Sequence, residues 1–527
     1  MTTAQTPPPP SGSSPWAHME RLPEDFWQEA VNRILKGNVI FPKHRIPAVL
    51  GIEDEAQALR DEAFIDSDML GAWVARTVQA GKPLHWVYAE IGSALLNFGF
   101  AVWARSYYER FLQTAHDDFT ETMLLQCWFL SDDATNATIL PVYRAWAERS
   151  GDSRHLDRRH PNSPDPERRL RIGYICQYIG RTLGRNMMVP MLRRHDPDRF
   201  EVFVYNDGEM AEDVADCARH WRLTKELGDA ALARQIEADG IDILLETNGY
   251  CMGHRLGALM ERPAPVQIVW GNHSATSGMR SADYTIADAF TVPATDDPLY
   301  TEVVYRGPAY MGGMMPEWRS ERPIGAPPSE SNGFMTFGYF GGSHKVNRRT
   351  VALWSRVLRA VPNARFLMKA GALDLPQARA AFLKMFRDQG VEEDRLILEG
   401  YSPYEEMLER YDQVDIMLDS IPINGGSTLM DALWHGVPGM CVLGDRWGAR
   451  NGPVYLKEIG APELIAKSPD DLVARATALA GDAARLRRYR NGLRDQVLRA
   501  RVSDAAMVMR DFEVAYREMW RRWCAPA

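Results

Sequence analysis

The chain reads as an α/β protein in which two doubly wound, Rossmann-like lobes follow an α-helical domain. Three observations predict it. Short β-branched and apolar runs alternate with amphipathic stretches in two successive blocks, the pattern of parallel sheets with crossover helices. A Pro/Gly/Ser-rich stretch, Arg322 to Gly333, separates the blocks as an interlobe linker. Ahead of both, from about Leu22 to Arg149, apolar residues recur at helical spacing with no convincing strand. A length of 527 residues is too great for one core, so two or three domains are expected.

Met1 to Trp16 is rich in Pro, Ser and Thr and lacks the basic and apolar regions of a signal peptide, so residues 1–20 read as a disordered tail. In the helical domain, residues 21–155, Tyr88, Gly92, Leu95, Ala104 and Tyr108 fall where a tetratricopeptide repeat places its packing residues. Only one such repeat is evident. Stacked repeats need neighbours to bury their faces, so this TPR-like unit predicts a helical cap and not a long superhelix. A polar linker, Ser150 to Glu167, leads into the first lobe, residues 168–322. Its strand candidates are Leu170 to Cys176, Phe200 to Tyr205, Ile241 to Glu246, Val266 to Gly271 and Tyr284 to Ala287. The second lobe, residues 334–502, repeats the alternation with Met335 to Phe340, Ala364 to Lys369, Arg395 to Glu399, Val414 to Leu418 and Gly439 to Leu443. Residues 503–527 carry a last helix, about Asp504 to Trp523.

Composition excludes several classes. Hydrophobic content of 45% and charged content of 25% are those of an ordinary globular protein. A net charge of −9 argues against a nucleic-acid partner. No apolar run is long enough for membrane insertion. The six cysteines are scattered and read as buried thiols, consistent with a cytoplasmic protein. Asp-x-Asp occurs at Asp66-Ser67-Asp68 and Asp196-Pro197-Asp198, but neither lies on a cleft loop, so no metal site is expected.

The densest motif is Asn424-Gly425-Gly426-Ser427-Thr428-Leu429-Met430-Asp431, after the strand at Val414 to Leu418. Strand, Gly-rich loop and helix N-terminus together make an anion site, with Ser427 and Thr428 free to cap the helix or donate to a ligand. An ordinary capped helix after a strand fits the same residues. Three further segments lie at strand ends: Gly341-Gly342-Ser343-His344-Lys345, Gly444-Asp445-Arg446-Trp447-Gly448-Ala449-Arg450, and Trp270-Gly271-Asn272-His273-Ser274-Ala275-Thr276-Ser277-Gly278. Ligands of open α/β sheets bind outside the carboxyl ends of the strands, which places the site between the lobes.

From about Thr122 to Trp523 these motifs resemble the catalytic region of the protein O-GlcNAc transferase and SPINDLY family, glycosyltransferase family 41. The resemblance implies the GT-B arrangement of two lobes and inverting, metal-independent transfer of a sugar from a nucleotide diphosphate to protein Ser or Thr. It implies that Lys345, with Gly342 and Ser343, meets the donor diphosphate, helped by Gly425, Gly426, Ser427 and Thr428. Asp431 matches a position that holds the donor ribose. Arg450 binds the diphosphate, pairs with Asp431 or forms a structural ion pair. On the acceptor side stand Asn272, Thr276 and His273, the last a candidate neutral base.

The departures fall on histidines. Thr182 and Asn186 occupy two histidine positions after the first strand, Met407 replaces the histidine that stacks on the donor base, and Gly426 replaces the one after Asn-Gly. The resemblance therefore leaves sugar and nucleotide open, with a UDP-sugar first and a GDP-sugar second, and no cofactor. It implies one dedicated protein acceptor, flagellin-like by analogy. A nucleotide-sugar epimerase and a non-catalytic binding subunit are the alternatives.

Overall fold

The computed structural model describes residues 46–177, 179, 182–208, 212–271, 274–308 and 321–525; the expected tail at residues 1–20 lies outside them. In the first lobe the strands are β1 (Leu170–Cys176), β2 (Phe200–Asn206), β3 (His220–Leu223), β4 (Ile243–Glu246), β5 (Val266–Val269), β6 (Tyr284–Ala287) and β7 (Val303–Arg306). They form a 7-stranded sheet in the order β3-β2-β1-β4-β5-β6-β7. Every pairing is parallel. In β1 only Arg171 is exposed, as expected of a strand covered on both faces.

The second lobe contains β8 (Thr336–Phe340), β9 (Arg365–Lys369), β10 (Leu396–Glu399), β11 (Ile416–Leu418), β12 (Gly439–Val442) and β13 (Ile465–Ala466). Their 6-stranded parallel sheet runs β10-β9-β8-β11-β12-β13. Both lobes thus start from the middle and wind outward twice, the two-lobed arrangement that the resemblance implies. Three strands, β3, β7 and β13, carry no sequence signal. All are sheet edges, where one flank meets no neighbour and the apolar run is short.

Before β1, helices span Glu53–Ala63, Ser67–Gln79, Trp86–Asn97, Ala101–Leu112, Asp118–Leu130 and Asn136–Ser150. The TPR-like residues Tyr88, Gly92, Leu95, Ala104 and Tyr108 are buried between two of these helices. A Cβ on Gly92 would stand 2.9 Å from the Tyr108 ring, which is why the small residue sits there. This helical region shares one core with the second lobe, while Leu125, Tyr143 and Trp146 pack into the first. Both Asp-x-Asp pairs are turn devices: Asp66 accepts from the backbone N–H groups of Asp68 and Met69 at 2.9 Å, and Asp196 from that of Asp198 at 3.0 Å.

The last helix, Ala505–Cys524, opens on Asp504, whose carboxylate accepts from the Met507 N–H at 2.9 Å. Its apolar side, including Met509, Phe512 and Trp520, completes the core of the first lobe. A buried polar chain locks it there. The Tyr174 and Tyr516 hydroxyls lie 2.9 Å apart, His195 Nε2 is 2.7 Å from Tyr174, and His195 Nδ1 is 3.0 Å from Glu513.

Candidate active site

Strand order reverses between β1 and β4 in one lobe and between β8 and β11 in the other. A parallel sheet leaves a crevice at such a point, outside the carboxyl ends of the strands. In the second lobe the chain leaving β8 supplies Gly341 to Lys345, and the chain leaving β11 supplies Asp419 to Ser427. Topology therefore brings two residues 79 positions apart onto one spot: Lys345 Nζ lies 3.5 Å from the Asn424 carbonyl oxygen.

The helix after β11 spans Ser427–Trp434, with Gly426 at its N-cap and no side chain bonded there. This corrects one expectation, because Ser427 and Thr428 lie in the first turn and do not cap it. Without a side-chain cap, the first-turn N–H groups and the helix dipole are available to an anion. Two contacts fix the helix. The Tyr411 hydroxyl donates to the Thr428 carbonyl at 2.9 Å, and Gly436 ends the helix at φ +73, where a Cβ would meet the Arg490 backbone at 2.8 Å. Gly425 differs from expectation too. Its N–H donates to both Asp419 oxygens, each at 2.9 Å, so that N–H serves the loop and not a ligand.

Lys345 ends a single 3-10 turn, Ser343–Lys345, in which Ser343 is buried. A Cβ on Gly342 would stand 2.2 Å from the His344 ring, so any larger residue there would displace that ring. Lys345 keeps one accessible side, but protein crowds the others, and this burial pulls its ammonium pKa below the ordinary lysine value. Asp419 and Cys251 act in the opposite direction. Burial, then Lys345, push the His344 imidazole down to about 4, so this ring is neutral at physiological pH.

Asp431 is buried and accepts from the Tyr404 hydroxyl at 3.0 Å. Met407, on the same short helix as Tyr404, packs against the cluster that contains Phe340 and Tyr411. Arg450 does not reach Asp431. Its guanidinium donates to the Thr291 carbonyl at 3.1 Å and lies 3.5 Å from Asp296, both in the first lobe, and donates within its own loop to Gly444. A fork already occupied by carbonyls and a carboxylate is an interlobe brace. Arg450→Ala is expected to cost about 1–3 kcal/mol of stability and to leave nucleotide affinity unchanged; denaturation and calorimetry on the same variant check both.

On the first-lobe side, Asn272 and His273 lie outside the described residues, and Thr182 opens the helix Thr182–Leu192 with its side chain outside them. Thr276 is buried, with its hydroxyl on Glu302 at 2.9 Å, because that buried carboxylate takes its donors from Thr276 and Ser277. Two residues that the motifs did not single out organise the crevice. Glu246, at the end of β4, is buried, its carboxyl pushed up to about 8 by burial, and accepts from the Asn248 and Gly249 N–H groups at 3.1 and 2.7 Å. Asp419 does the same at the end of β11. The available signal was a carboxylate directly after a buried strand and ahead of glycines.

Among the described residues no cluster of His, Cys, Asp or Glu is placed to hold a metal ion, and no helix is long and apolar enough to cross a membrane. All six cysteines are free thiols.

Comparison with known proteins gives a consistent picture. The model of the family described as Glycosyl transferase family 41 matches residues 155–313 and 330–514. A tomato (Solanum lycopersicum) protein named "Probable UDP-N-acetylglucosamine--peptide N-acetylglucosaminyltransferase SPINDLY" is 29% identical over 75% of this chain and 43% of its own. A Petunia hybrida protein of the same name is 30% identical over 69% of this chain and 40% of its own. The chain thus spans less than half the length of these plant relatives. The solved structure of a Thermobaculum terrenum O-GlcNAc transferase, a lysine-to-methionine mutant, superposes with a TM-score of 0.78 at 27% identity, covering 95% of this chain and 99% of that one.

Proposed function

Because the chain belongs to glycosyltransferase family 41, we propose that it transfers N-acetylglucosamine from UDP to a serine or threonine hydroxyl of a protein. The names of its relatives support the donor, and the match over both lobes supports the reaction type. The observation that carries the reading is the convergence of Lys345 with the uncapped helix N-terminus at Gly426 and Ser427.

The step is a direct displacement with inversion at the sugar. The acceptor oxygen forms its bond to the anomeric carbon as the bond to the β-phosphate oxygen breaks, and the electron pair leaves with UDP. Negative charge grows on the diphosphate as it departs. The Lys345 ammonium and the N–H groups of Ser427 and Thr428 offset that charge, more strongly in the transition state than in the ground state. In this reading they supply what a metal ion supplies elsewhere, so transfer is metal-independent. Asp431, held by Tyr404, faces the ribose, and Met407 borders the base. The acceptor proton passes to a base on the first-lobe side, for which His273 is the candidate, with Asn272 and Thr182 beside the incoming hydroxyl. The enzyme works in the cytoplasm on one dedicated protein partner, received against the helical region.

A thermal-shift titration tests the donor. A ligand that binds only the folded state raises stability by an amount set by its concentration over Kd, about 2.7 kcal/mol at a hundredfold excess. UDP and UDP-N-acetylglucosamine are expected to stabilise the protein, and GDP and CMP not to. Sugar loss or isomerisation without acceptor would favour the epimerase alternative instead. Absence of any nucleotide effect would sink the transferase reading.

A further inference from the structure

β11 is flanked by two buried aspartates with different surroundings. Asp415, at its amino end, accepts from the Thr336 N–H at 2.9 Å and from the Ser329 N–H and hydroxyl at 3.1 and 2.8 Å, far from the crevice. Asp419, at the carboxyl end, is buried. Its carboxylate accepts from the Ser420 N–H at 2.8 Å, from the Gly425 N–H at 2.9 Å and from the Cys441 thiol at 3.2 Å. Its carbonyl accepts from the Trp354 indole at 3.1 Å. The space is tight: a Cβ on Gly452 would stand 3.0 Å from Asp419 Oδ2. Lys345 Nζ lies 3.5 Å from the carbonyl oxygen of the Asn424–Gly425 peptide, whose N–H this carboxylate accepts, so the two charges stand on either side of one peptide group.

We propose that Asp419 is a positioning residue of the donor site, pinning the Gly-rich loop through Gly425 and serving as the fixed counter-charge of Lys345. The inference rests on the reading that Lys345 serves the departing diphosphate. An ammonium crowded by protein on most sides gives up its proton more readily without an opposite charge nearby, and a neutral amine offsets no leaving-group charge. The groups facing Lys345 are Asp419, the Cys251 thiol from the first lobe and the neutral His344 ring beside it. Asp419 is the carboxylate among them. The same oxygens orient Gly425, so the loop cannot rotate its N–H toward the ligand, and the first-turn N–H groups that follow are left to meet the phosphates.

The test compares Asp419→Asn with Asp415→Asn and Lys345→Ala, each assayed for turnover against pH with UDP-N-acetylglucosamine and a protein acceptor. With the carboxylate gone, Lys345 loses its proton at lower pH. Asp419→Asn is therefore expected to lower kcat about tenfold or more near neutral pH and to move the alkaline limb of the profile to lower pH. Asp415→Asn, a buried loss in the same strand, is expected to lower stability without moving that limb. If Asp419→Asn does not fold, Asp419→Ser carries the same readout with room for water. A folded Asp419 variant whose profile overlays the wild type, while Lys345→Ala is impaired, overturns this proposal alone. Full activity in Lys345→Ala overturns the reading beneath it.

Discussion

Replacing Lys345 with alanine is expected to lower kcat for transfer from UDP-N-acetylglucosamine by about two to three orders of magnitude, with the fold intact. The reason is placement. The ammonium sits at the strand-order reversal of the second lobe, 3.5 Å from the loop that opens the Ser427–Trp434 helix. Its interaction with the diphosphate grows as negative charge builds, so the loss falls on kcat more than on donor affinity. Lys345→Arg is not expected to rescue the activity, since a planar fork does not fill the space of a compact ammonium. Steady-state kinetics on folded variants decide it. Wild-type turnover in Lys345→Ala would remove the residue from the mechanism.

Trp520→Ala carries the largest expected loss of stability, about 3–5 kcal/mol, which for a lobe of this size lowers Tm on the order of 10 °C. The indole is fully buried, donates to the Asp165 carbonyl at 2.9 Å and stacks on Trp523 at 4.6 Å between ring centres. Truncation opens a cavity in the first-lobe core and leaves that carbonyl without its donor. The last turns of the chain then detach from the segment that leads into β1. Calorimetry reads the effect directly. A shift of only a degree or two would mean that this helix contributes little to the lobe.

Much of this was legible in the sequence because it is local. The Val414 to Leu418 run announced β11, and the Gly-rich segment after it announced a helix start. The central strands of both sheets, covered on both faces, wrote continuous apolar runs. Three of the four edge strands, β3, β7 and β13, did not. His220–Leu223 is partly exposed along its length, and Ile465–Ala466 is too short to carry a pattern. In the same way, Thr276 and Arg450 sit in motifs that resemble a site, yet one is bound to Glu302 and the other to Thr291 and Asp296. Motif position set their backbone. Burial set where their side chains went.

The sequence by itself determined the two-lobed α/β class, the helical region before it, the family and the segments that border the crevice, since periodicity, strand-end glycines and motif spacing are properties of neighbouring residues. Tertiary structure alone decided which side chains those segments use. Lys345 and Asn424 meet because β8 and β11 are adjacent strands, and the same adjacency brings Lys345 to the loop that Asp419 holds. Gly425 gave its N–H to a carboxylate because a buried acceptor must find donors, and the nearest one was on the loop itself. Partners distant in sequence are chosen by the packing of strands and by the cost of leaving buried polar groups unpaired, and neither is written in any one stretch of the chain.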